Sequence, residues 1–89
     1  MCRNIKPLFN FDPPTTHEEA HAAALQFVRK VSGMQKPATA NVAAFDEAVQ
    51  EIEDATMRLL IKLVTTAAPK DRAEWEERRR EQNRRRFAV

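Results

Sequence analysis

The sequence predicts an all-α protein, and three observations carry that expectation. Its 89 residues include one glycine, too few for an architecture rich in β-hairpins. Apolar residues recur at helical spacing along two stretches, Ala20 to Val31 and Val42 to Val64. Threonine or aspartate stands three residues ahead of glutamate at the start of two predicted helices, the signature of a capping box. The expected arrangement is an extended, proline-rich N-terminal arm on an antiparallel two-helix hairpin, followed by a shorter polar C-terminal helix.

Residues 1–15 form the arm. Pro7, Pro13 and Pro14 exclude a helix there, while Ile5, Leu8, Phe9 and Phe11 supply apolar surface to lie on a core. Thr15 or Thr16 caps the first helix, expected over 16–32, with Glu18 or Glu19 completing the box. Arg29 and Lys30 suit its C-terminal dipole, and Gly33 supplies a left-handed stop. Thr39 or Asn41 caps the second helix, expected over 39–66. Its heptad stripe is Val42, Phe45, Val49, Ile52, Thr56, Leu59 and Leu63, with Phe45, Ile52 and Leu59 expected in the core. At about 40 Å such a helix outruns its neighbour. Its far end needs the arm, the tail or a second subunit. Residues 1–69 read as the helical domain.

Beyond Pro69 the composition changes. Residues 1–69 carry seven Lys/Arg and eight Asp/Glu, whereas residues 70–89 carry eight and five. The tail, capped by Asp71 with Glu74, is laced by the pairs Glu74–Arg78, Glu76–Arg80 and Glu81–Arg85. On a helical wheel Trp75 shares one face with Arg78, Arg79, Arg85 and Arg86. That pattern suits phosphate contact with aromatic support. It also suits docking on Asp46, Glu47 and Glu51 of the second helix or of a second subunit, with Trp75 as anchor, or a solvated tail.

Composition excludes several classes. At 10.2 kDa the chain supports one core and little more than a shallow cleft. The scarcity of glycine removes Gly-rich phosphate loops. No stretch approaches the ~20 apolar residues that span a bilayer, and the N-terminus lacks the apolar run of a secretory signal. A lone cysteine leaves no internal disulfide framework, so a soluble cytoplasmic protein is expected. His17-Glu18-Glu19-Ala20-His21 spells H-E-x-x-H, whose histidines share a helix face and can reach a zinc ion. The capping box already explains a glutamate there, and no third ligand follows at protease spacing, so a solvated helix start is the expectation. Cys2 beside Arg3 has the ingredients of an activated thiol, or of a small buried residue pinning the arm.

Four separated stretches together resemble a known family: Met1-Cys2-Arg3-Asn4-Ile5, Asn10-Phe11-Asp12-Pro13-Pro14, Gln26 through Gly33, and Asn41 with Ala43-Ala44-Phe45. It is the family of short bacterial proteins known as domain of unknown function 2277. The resemblance implies a cytoplasmic bacterial protein and singles out Cys2, Arg3, Asn4, Arg29, Lys30, Ser32 and Asn41. It implies no activity, cofactor or partner. From the residues, the expected function is a small non-enzymatic interaction module that self-associates as a homodimer, without metal or cofactor and without membrane contact. The alternatives are nucleic-acid association through the arginine-rich tail, and a thiol- or metal-dependent enzyme centred on Cys2.

Overall fold

Each helix begins and ends where local chemistry directs. In the computed structural model, which describes residues 3–87 (for residue 87 the backbone alone), helix α1 runs His17–Ser32. Thr16 Oγ1 accepts from the Glu19 N–H, and the Glu19 carboxylate accepts from the Thr16 N–H, so the capping box closes as expected. At the other end Gly33 adopts φ 72°, and its N–H bonds the Arg29 carbonyl. A side chain is strained in that conformation, which is why glycine stands there.

A single 3₁₀ turn, Thr39–Asn41, leads into α2, Val42–Lys62. Neither Thr39 nor Asn41 caps by its side chain. The turn's own backbone bond, from the Asn41 N–H to the Ala38 carbonyl, does the work of entry instead. α2 also ends four residues short of the expected 66. Val64, Thr65 and Thr66 are β-branched, and the Thr65 hydroxyl accepts from the Ala67 N–H, a local bond that competes with the helix. Leu63 is already extended.

Ala24 and Val28 of α1 pack on Phe45 and Val49 of α2, and Leu25, Ala48 and Ile52 close the edges. The first turns of α1 meet Glu53 of α2, while its last turn lies beside Asn41 and Ala44. Of the three core residues expected on α2, Phe45 is buried, Ile52 is half-buried and Leu59 is 55% exposed. α1 does not extend far enough to cover Leu59. The arm meets a neighbouring stripe instead: Leu8, Phe9 and Phe11 line one hollow with Met57, Leu60 and Ile61, though Ile61 stays exposed.

The chain is mainly helical, with one addition that an all-α reading omits. Phe11–Asp12 (β1) pairs in parallel with Lys70–Asp71 (β2), Phe11 opposite Lys70. Asn10 makes the junction. It sits at φ 63°, a left-handed conformation that asparagine tolerates better than most side chains. Its carbonyl accepts from the Lys70 N–H at 2.8 Å, and its Nδ2 donates to the Ala67 and Ala68 carbonyls. The final helix, α3, spans Arg72–Phe87 and starts on the Asp71 carboxylate, which accepts from the Glu74 N–H.

The result is a plate, 44 by 40 by 15 Å. Its thickness is little more than one helix with its side chains.

Candidate functional site

Two surfaces gather the residues that the sequence singles out. The first is an apolar groove of about 360 Å³ between the end of α1 and the start of α2. Phe27, Val31, Ser32 and Met34 line one side, and Asn41, Ala44, Phe45, Ala48 and Ile52 the other. Phe27, Met34 and neighbouring Val42 are exposed, and Val31 is 70% exposed. Helical periodicity gathers the helical side chains among them on one stripe, and among the described residues no segment folds back over them. Around the groove, Arg29 Nε donates to the Gln35 carbonyl, and Ser32 Oγ accepts from the Met34 N–H. Both bonds hold the connector between the helices in place. Lys30 is exposed at the end of α1.

The second surface is a polar cleft between the arm and α3. Two adjoining hollows of about 420 and 410 Å³ share Lys6, Trp75 and Arg79. Ile5, Pro7, Arg78 and Gln82 complete the first, and Arg3, Glu76, Arg80 and Asn83 the second. The Trp75 ring meets the buried Phe11 ring edge to face, at 5.2 Å between centroids. Lys70 Nζ and the Arg72 guanidinium also lie over the Phe11 ring, 5.0 and 5.2 Å from its centroid. The Arg79 guanidinium lies 5.5 Å from the Trp75 centroid. Cations and rings therefore stack from the arm into the cleft.

Arg72 locks this arrangement. Nη1 donates to Glu19 Oε2 at 2.7 Å, while Nε and Nη2 both donate to the Pro13 carbonyl. The tail thus docks on the arm and on α1. Within the chain the tail does not dock on Asp46, Glu47 and Glu51: all three are exposed, and the contacts of α3 go to β2, Phe11, Pro13 and Glu19. The parallel β1–β2 pair brings the start of α3 to the arm, and no sequence periodicity encodes that pairing.

Along α3 the glutamates take several arginines out of the cleft's account. Arg78 bonds Glu74, Arg80 bonds Glu77, Arg84 bonds Glu77 and Glu81, and Arg85 lies 3.6 Å from Glu81. The expected Glu76–Arg80 pair gives way to Glu77–Arg80, an i,i+3 contact. Arg80, and behind it Arg84, hold the Glu77 carboxyl below the usual carboxylate range, while Glu81 and Glu77 raise Arg84. Glu77 therefore supports α3 above its unfolded-state pKa, and the support is lost as pH falls through its lowered folded value. Far-UV circular dichroism should show helix content falling below about pH 4, with a smaller fall in Glu77→Gln. Equal acid titrations in the two proteins would remove Glu77 from the account.

The sequence-nominated residues divide between these surfaces. Ser32 and Asn41 line the groove; Arg3, Trp75, Arg78 and Arg79 line the cleft. The Asn4 N–H bonds the Gln26 side chain and ties the arm to α1. Arg85 and Arg86 lie further along α3 and line neither surface. Cys2 lies outside the described residues. The H-E-x-x-H histidines converge on a carboxylate. Nδ1 of His21 is 2.7 Å from Glu53 Oε1, and Nδ1 of His17 is 3.7 Å from Oε2. Among the described residues, no group of three or more His, Cys, Asp or Glu is placed to hold a metal ion. No helix among them is long and apolar enough to cross a membrane. Glu53 and Arg72 escaped the sequence reading because their partners come from distant parts of the chain, and Lys6 because only the fold brings it to the cleft. Asn10 stood in a family-like stretch, but its bonds to Ala67, Ala68 and Lys70 were not legible there.

The family model described as "Uncharacterized conserved protein (DUF2277)" matches residues 1–78. The chain belongs to this family. No curated protein and no solved structure matches it. The DUF2277 match takes in residues 1–15, α1, α2, Arg72 and Trp75. Arg79 to Arg86 lie beyond it. Two of the stretches that carry the family likeness, Gln26 through Gly33 and Asn41 to Phe45, supply most of the groove's lining.

Proposed function

We propose that the protein is a small helical interaction module that works as a homodimer, its hairpin groove seated against a second copy. Its exposed surface supports this reading most directly. The chain exposes 6908 Å², about 1,600 Å² more than the ~5,300 Å² of a compact monomer of its mass. Its radius of gyration, 15.6 Å, likewise exceeds the ~12 Å of a compact chain this long. Stable domains stack two layers of secondary structure around a core. The 15 Å plate provides one, and a second copy across the groove provides the other. A standard protein interface removes ~800 Å² from each partner, so the excess on one chain exceeds what such an interface needs.

This reading takes the arm lying across an antiparallel hairpin as the dimer's scaffold, with the arm and tail at the rim. The family likeness and the lone cysteine support a bacterial, cytoplasmic setting. Sedimentation equilibrium should give twice the 10.2 kDa chain mass. Val31→Glu places a charge on an exposed groove position, so it should yield a monomer with native helix content. A wild-type monomer at high protein concentration, or a Val31→Glu dimer as tight as wild type, would overturn the reading.

A further inference from the structure

We infer that the cleft between the arm and α3 binds single-stranded nucleic acid, the bases stacking at Trp75 and Arg79 and the phosphates lying along the arm. Charge is the first support. The lining of the two hollows contains Arg3, Lys6, Arg78, Arg79 and Arg80 against one carboxylate, Glu76. Arg78 and Arg80 bond glutamates of their own helix. Among the described residues, Arg3, Lys6 and Arg79 are the cations lining the cleft that pair with no glutamate of α3, and they come from the arm and from α3. A polyanion laid between them meets positive charge on both walls.

The platform is the second support. Trp75 is half-buried, and the edge-to-face contact with Phe11 limits its movement. Arg79 lies against its ring, and a guanidinium plane can carry a stacked base as an aromatic ring does. Stacking needs bases with free faces, which a single strand offers and a duplex withholds. Gln82 and Asn83, in the same lining, offer amide groups to base edges without demanding one sequence. An acidic peptide would satisfy the charges and leave the ring platform unused.

The chain's one tryptophan lies in the cleft, so its fluorescence reports on the site directly. The probe is an oligothymidylate of about 12 nucleotides, within the span of small single-strand sites. Titration at low salt should quench Trp75 emission to saturation. Three phosphates at about −0.7 each give a log–log salt slope near −2, a loss of about 100-fold in affinity per tenfold rise in salt. The double variant Arg3→Ala, Lys6→Ala should keep native helix content, bind more weakly at low salt, and show a slope near −0.7. No quenching at low salt would overturn the inference. So would an unchanged slope in the variant. Quenching as strong by the oligonucleotide's duplex, or by polyglutamate, would assign the cleft to a different polyanion and overturn it too.

Discussion

Replacing Phe45 by alanine should cost about 3 kcal/mol of folding stability, the low end of the range for a buried phenylalanine. Phe45 is 8% exposed and joins Ala24, Val28 and Val49 in the core between α1 and α2. No large side chain among the described residues is fully buried, so this ring carries an unusual share of the apolar burial. The low end applies because Phe45 also lines the groove, and a cavity opening there can admit water. A domain of 89 residues has roughly 4–13 kcal/mol in total, so much of the native margin would go. Ile52→Ala, at a half-buried position, should cost less. Urea titration at fixed protein concentration is the measurement, since a dimer's stability depends on concentration. A loss below about 1 kcal/mol for Phe45→Ala would contradict the described core.

The second large effect is expected at Arg72. Its guanidinium makes three hydrogen bonds joining the start of α3 to Glu19 and to the Pro13 carbonyl. The Arg72 and Glu19 side chains are 20% and 25% exposed, so their pairing escapes most of the screening that weakens surface ion pairs. Arg72→Ala should therefore cost about 2–3 kcal/mol and loosen α3 from the arm. Trp75 would then leave Phe11, and its emission should shift to the red. Arg72→Lys keeps the charge but cannot reach both partners with a planar fork, so it should recover only part of the loss. A change under about 0.5 kcal/mol with unmoved Trp75 emission would show that the helix docks by other contacts.

These two residues illustrate different kinds of legibility. Phe45 could be placed from sequence, because the helical repeat puts it on the stripe shared with Val49 and Ile52. Leu59 lies on the same stripe yet stays exposed, since a repeat marks a face and does not say how far the neighbouring helix reaches. Arg72 gave no signal. It is one cation in a run of charges, and its partners lie 53 and 59 residues earlier in the chain. The arginines that did stand out, Arg78 and Arg85, pair with Glu74 and Glu81 four residues earlier. The face of the helical wheel that collected them also included Trp75 and Arg79, which do share the cleft.

What the sequence determined by itself is what four residues of chain can decide. The Thr16–Glu19 box, the Gly33 stop, the Asp71 start and the buried stripe of α2 all rest on bonds or spacings within one helical turn. The family likeness, a pattern of separated short stretches, is of the same kind. The tertiary structure alone decided the pairing of Phe11–Asp12 with Lys70–Asp71, the left-handed Asn10 that latches it, and the convergence of Arg3, Lys6, Trp75 and Arg79. Closing a loop of nearly 60 residues costs entropy that grows only slowly with its length, so many distant pairings compete on nearly equal terms. The choice among them falls to shape and hydrogen bonding in three dimensions, where Asn10 and Arg72 find partners that no local pattern names.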